Sequence, residues 1–262
     1  MSPPITLYAF VTSPFAAKVK CYLDYKQLPF AMEYVDPIGA GEVAFTNQRR
    51  IPVLKIGEEW RRDSSEIGLW LEERFPERPI LGESPAERAR ILELDEWVTA
   101  SLIPAIFRQA VEWDSTRNGW HNGWRLSAAL HATRPLPFAA RWLWPLLVRR
   151  AAFIHRIVNR QQKRYGKESR GEMWNRIFQE FAERLGQGPF LGEQPRPSLA
   201  DLSAYPQFVF PRLLGMRFRG DAEIRPPLVL ARWLARMKKE LPENPSLIPD
   251  RMLNLPDAAA RT

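Results

Sequence analysis

The sequence predicts a small α/β unit followed by a larger all-helical one. Three observations carry that prediction. Strand and helix patterns alternate over the first eighty residues, strand signals vanish after about Ser84, and amphipathic helical periods then run to the end. Pro76 and Pro79 punctuate the passage between them, which sets the units at residues 1–79 and 85–262.

Residues 5–10 are an apolar, β-branched run of strand length, expected to be buried on both faces. Thr12-Ser13-Pro14 reads as a helix start, with a hydroxyl cap and proline at the first position. Phe15, Val19, Tyr22 and Leu23 then recur at helical spacing, with Lys18, Lys20, Asp24 and Lys26 between them. A second strand fits residues 30–35. Residues 52–56 and 58–62 form a hairpin turning at Gly57, and its charged second arm suits an exposed edge. Asp63-Ser64 opens a helix with Ile67, Trp70, Leu71 and Phe75 on its apolar stripe. The order is βαβ, a short unassigned segment, then ββα. In the second unit, residues 88–111 and 172–185 are amphipathic. Ser198-Leu199-Ala200-Asp201 places a hydroxyl three residues before an acid, and residues 228–241 form the last helix.

Composition narrows the chemistry. The single cysteine, Cys21, excludes an intrachain disulfide and a cysteine-rich metal site, and suits a reducing, cytoplasmic setting. The histidines at 121, 131 and 155 match no metal-binding spacing, so no metal is expected. No basic residue precedes the first apolar run, which argues against a secretory signal, and no apolar stretch is long enough to span a membrane. The formal charge of +8 is local. Residues 141–170 hold nine Lys/Arg against one acid, Glu168, leaving 29 basic and 29 acidic residues elsewhere.

Three positions in the first unit suit a ligand. Ser13 sits where a strand gives way to a helix, so its hydroxyl and the free amides of the first turn point at one spot; a thiolate there is stabilised. Read alone, Ser13 is first of all a simple cap, the commonest use of serine before proline. Ile51-Pro52 opens the third strand, and a cis bond there turns the main chain of residue 51 outward to pair with an extended peptide. Ser64 and the first amides of its helix can hold a carboxylate while Asp63 pairs with an ammonium group; as a dipeptide the pair is also just a good helix start.

Their order resembles the thioredoxin-like half of the glutathione transferase superfamily. Residues 12–20 (TSPFAAKVK) match its first-helix motif, residues 50–54 (RIPVL) its cis-proline motif, and residues 63–67 (DSSEI) its γ-glutamyl motif. Residues 197–202 (PSLADL) are similar to the capping box of the second domain. The resemblance spans nearly the whole chain and is nearest the omega-class and prostaglandin E synthase type 2-like branches, through Tyr22-Leu23-Asp24-Tyr25, Leu28-Pro29-Phe30, Asp36-Pro37 and a basic helical insert over residues 138–181. It implies a thioredoxin-like domain followed by a transferase-type helical domain, with glutathione as co-substrate bound by Ser13, Phe15, Ile51, Pro52, Asp63 and Ser64. It also implies a homodimer.

The departure from those branches sets the expected chemistry. Both typically place cysteine at the position of Ser13, and the second branch adds one at that of Ala16. Cys21 lies eight residues on, roughly 12 Å along the helix, and reads as a core residue. Cysteine-dependent thiol transfer is therefore not expected. What remains is serine-type catalysis, in which Ser13 holds the thiolate of glutathione while it attacks a small hydrophobic electrophile. The alternative is a binding or scaffolding protein that kept the fold and lost the chemistry.

Five of the ten tryptophans fall in residues 113–144 (Trp113, Trp120, Trp124, Trp142 and Trp144) and suit an apolar acceptor pocket, with Trp113 its candidate residue, or ordinary helix packing. The apolar residues 142–148, followed by basic residues, suit peripheral membrane contact through 141–170, or a solvated helix face. Nucleic acid is not expected, because no recognised binding motif accompanies the charge.

Overall fold

The computed structural model describes residues 3–37, 39–112, 115–218 and 226–253. Four strands, β1 (Ile5–Ala9), β2 (Ala31–Tyr34), β3 (Val53–Ile56) and β4 (Glu59–Arg62), form one sheet in the order β2-β1-β3-β4. β1 runs parallel to β2 across the crossover helix α1 (Pro14–Tyr25), and antiparallel to β3. The β3–β4 hairpin feeds helix α2 (Ser64–Arg74). A 3₁₀ stretch, Gly41–Thr46, fills the segment whose sequence carried no clear period.

The alternation of β1 corrects one expectation. Ile5, Leu7 and Ala9 are buried, but Thr6 and Tyr8 are half-buried, so only one face of the strand is sealed. That face joins Val19, Leu54, Ile67 and Leu71 in a core that continues into the helical half through Ile91, Leu102, Phe181 and Trp233. β4 is the expected charged edge, with Glu59, Arg61 and Arg62 exposed.

The helical half begins with α3 (Pro85–Trp97), whose Ser84 cap and Glu87 satisfy each other's main-chain N–H groups. A π-helical turn at Val98–Leu102 joins it directly to α4 (Ile103–Val111), so the amphipathic run at 88–111 is one continuous rod with a wide turn in the middle. Then come α5 (Thr116–Thr133), α6 (Phe138–Arg149), α7 (Ala152–Tyr165), α8 (Arg170–Leu185), α9 (Leu199–Leu213) and α10 (Leu228–Glu240). Gly123 lets α6 lie against α5: a Cβ there would meet Pro145 Cβ at 2.5 Å.

α9 is the central strut. Trp233 Nε1 donates to Asp201 (2.7 Å), the Leu199 amide donates to Ile80 O (2.7 Å), and the helix packs lengthwise on α1. Two hydrogen bonds fix its direction. Tyr22 on α1 pairs with Ser203 (2.6 Å), and Gln207 Nε2 donates to Pro14 O (3.0 Å). As α9 advances, α1 recedes, so the two helices are antiparallel.

Candidate functional site

The sheet register brings the three candidate positions to one end of the first unit. Tyr8 pairs with Val53 and Val53 with Arg62, so the turn after β1, the residues before β3 and the residue after β4 emerge together. Ser13, Ile51-Pro52 and Asp63 occupy those three points.

Ser13 caps α1 from extended backbone, and its Oγ accepts the Ala16 amide at 3.2 Å. Pro14 contributes no N–H, and the Phe15 amide has no protein acceptor among the described residues. The hydroxyl is half-buried. Because Oγ accepts from inside the helix, its own hydrogen is free to be donated outward. The site therefore offers one O–H donor, one open amide and the positive end of a helix at a single accessible point.

The Ile51–Pro52 bond is cis, with Pro52 buried and Ile51 half-buried. At α2 the dipeptide opens the helix as the sequence reads it, and the structure assigns the cap between its two residues. Asp63, at φ 70°, is the cap, and its Oδ1 accepts the amides of Ser65 (2.9 Å) and Glu66 (3.3 Å). Ser64 is buried behind it. Asp63 is exposed, and its Oδ2 has no protein partner among the described residues, so a carboxylate oxygen faces solvent beside a helix start.

Behind Ser13 lies a polar seam that short-range patterns do not reveal. Lys18 is fully buried, and its Nζ contacts Asp95 Oδ1 (2.9 Å) and Thr99 Oγ1 (3.1 Å). Asp95 also accepts from Ser65 and Ser203, and Ser203 continues to Tyr22. The seam ties α1 and α2 to α3, the π turn and α9. Burial, reinforced by the Asp95 carboxylate, pushes the Tyr22 hydroxyl well above its usual range. Lys26 forms a second buried pair with Glu72 (2.7 Å), which also accepts the Ile80 and Leu81 amides and so anchors the passage between the halves.

Cys21 is wholly buried, and burial drives its thiol far above the ordinary range. Ala16 is also sealed. Phe15 is half-buried and packs on the main core. Trp113 lies outside the described residues. Trp124 and Trp142 pack edge to face at 4.7 Å between α5 and α6, while Asn122 and Arg125 of α5 bond the main chain that follows α9, at Arg217 O and Leu214 O.

Residues 7–79 match the family model of the glutathione S-transferase N-terminal domain. Human glutathione transferase theta-2, solved in complex with glutathione and an unknown ligand, superposes with a TM-score of 0.59 at 17% identity, covering 91% of this chain and 83% of that one. The chain has the glutathione transferase fold. A maleylacetoacetate isomerase from Anaeromyxobacter dehalogenans, with dicarboxyethyl glutathione and citrate in its active site, shares this transferase fold at a TM-score of 0.52 and 20% identity, covering 99% and 97%. In sequence, the chain is 38% identical to prostaglandin E synthase 2 of Danio rerio over 64 residues, 24% of this chain and 17% of that protein. The chain spans less than a third of the length of the curated relatives it matches first. Among the described residues, no helix is long and apolar enough to cross a membrane.

Proposed function

We propose that the chain is a glutathione-dependent transferase or isomerase using serine at the position where thiol-transfer relatives use cysteine. The convergence of Ser13, Ile51-Pro52 and Asp63 at one sheet end carries this reading. Glutathione lies extended along that end. Asp63 Oδ2 takes its γ-glutamyl ammonium, the main chain of Ile51 pairs with its backbone, and its sulfur reaches the start of α1. The Ser13 hydroxyl donates to the sulfur, and the Phe15 amide and helix dipole favour its thiolate. The thiolate then attacks an electrophilic carbon. A C–S bond forms, and the displaced electron pair either leaves with a leaving group or is protonated on the acceptor. Ser13→Ala should lower kcat/KM for conjugation about 10²-fold, the loss typical of removing one donor from a developing anion, while retention on immobilised glutathione persists. Equal turnover by wild type and variant would remove Ser13 from the mechanism. Failure of the wild type to be retained would favour the non-catalytic scaffold.

A second property, membrane contact, follows from α6. Its outer face exposes Phe138 (79%), Trp142 (54%), Leu143 (50%), Leu146 and Leu147, with Arg141, Arg149 and Arg150 exposed at its margins. Two such cationic faces repel each other, whereas an anionic lipid surface complements both the apolar stripe and the charge. Co-sedimentation with vesicles containing phosphatidylserine, lost in Leu143→Glu/Leu147→Glu and weakened by salt, is the expected result. If those substitutions instead change the sedimentation coefficient of the protein alone, the face is a dimer interface.

A further inference from the structure

A cavity of about 590 Å³ opens between the start of α5 and the end of α9. Its apolar lining comes from Phe208, Pro211, Met216 and Phe218. The antiparallel packing of α9 on α1 gives its position. Gln207 meets Pro14, the first residue of α1, and Pro211 lies one turn further along the same face of α9. Four residues advance a helix by about 6 Å, so Pro211 projects past the N-terminus of α1, where the reading above directs the sulfur of glutathione.

Arg125, Arg212 and Arg217 bring three guanidinium groups to the lining, His121 and Gly215 complete it, and none of the described lining residues is acidic. That one-sidedness is unusual in a chain whose acids and bases balance outside residues 141–170. Among the described residues Arg125 is held in place by carbonyl oxygens, Leu214 O at 2.6 Å and Met252 O at 3.4 Å, and meets no carboxylate, so its charge is positioned without being paired there. His121 is fixed on Gly215 O at 3.0 Å. The Arg212 and Arg217 guanidinium groups make no ion pair among the described residues. Arginines left unpaired around an apolar recess are the arrangement that binds a carboxylate on an apolar body, because the planar fork matches the two oxygens.

We propose that this cavity is the acceptor site and that the small hydrophobic electrophile expected from the sequence also bears a carboxylate or comparable anion. The proposal rests on the transferase reading for the acceptor's reactivity but not for its recognition, so the two are tested by separate measurements. Recognition is measured on the full chain without glutathione, by equilibrium dialysis against 2,4-dichlorophenoxyacetate and its methyl ester. The acid should bind at least tenfold more tightly than the ester, and Arg212→Gln/Arg217→Gln should reduce that preference to about one. Equal binding of acid and ester by the wild type, or a preference that survives the double substitution, overturns the proposal. Turnover is measured with glutathione and ethacrynate or its methyl ester, whose reacting double bond is remote from the carboxyl group. A wild-type preference for the acid in KM, abolished in the double variant, places recognition at the catalytic site. Carboxylate binding with no turnover of either compound leaves recognition intact and removes the transferase reading.

Discussion

Two serine-capped helix starts, those of α1 and α9, use the same physics for different ends. At α9, Ser198 donates its amide (3.0 Å) and hydroxyl (2.8 Å) to Asp201 Oδ2, while Asp201 Oδ1 takes the Leu191 amide (2.9 Å) and the Trp233 indole. The first amide of the helix is claimed by Ile80 O, and both side chains are buried. At α1, Ser13 satisfies one amide, leaves the next open and remains half-buried. A helix N-terminus is a binding site only where its cap leaves donors unclaimed and reachable; where the donors are claimed, it holds the fold together.

The largest way to break this contrast is at the sealed end. Asp201→Ala strands the Leu191 and Trp233 donors and the Ser198 amide in a dry environment, and each buried unpaired donor costs about 1–3 kcal/mol. Urea unfolding should show a loss of about 3 kcal/mol or more. By contrast, Ser13→Ala removes a half-exposed cap worth about 1 kcal/mol, so its effect falls on turnover rather than stability. A comparable stability loss at both positions would mean that the two caps do the same work.

A smaller effect sharpens the contrast by placing one residue type in both environments. Ser13→Cys installs a thiol at the open helix start, where the dipole and the Phe15 amide lower its pKa, whereas Cys21 is sealed two turns further along the same helix. Titration with an aromatic disulfide reagent should find no reactive thiol in the native wild type, one in the variant, and a second only on unfolding. A fast-reacting native wild-type thiol would contradict the burial of Cys21.

What the sequence revealed follows the range of each interaction. The Ser13-Pro14 start and the pairing of Ser198 with Asp201 join residues three or fewer apart, and were legible. The sheet was legible because β1 to β4 each carry strand-length patterns separated by Gly, Pro or Asp. At α2 the dipeptide was recognised as a helix start, but only the backbone, with Asp63 at φ 70°, shows which of its two residues is the cap. The Lys18–Asp95 seam joins residues 77 positions apart, and the cavity joins the start of α5 to the end of α9. No local period marks either. α5 itself escaped notice because Trp120, His121, Asn122 and Trp124 blur its apolar stripe. In 141–170 the sequence located the charge and the apolar run, but not that the apolar run faces outward.

The smallest effect concerns protons at the sealed cap. Burial holds the Asp201 carboxyl above its usual pKa despite the donors around it, so the folded chain keeps that proton to a higher pH than the unfolded chain does. The sign follows from linkage. A raised folded-state pKa gives a contribution that is fully present below the unfolded value and is lost as pH rises through the folded one. Asp201→Asn cannot titrate. The stability difference between wild type and Asp201→Asn should therefore be larger at pH 4 than at pH 7, read as the gap between their urea midpoints after correction for m. Ser13 has no titrating partner at its cap, and Ser13→Ala should shift the midpoint equally at both pH values. A gap at Asp201 that widens toward neutrality would mean that its four donors outweigh burial and hold the carboxylate ionised. The sealed cap would then be an anion site already filled by the protein's own side chain, and its difference from α1 would lie in occupancy alone.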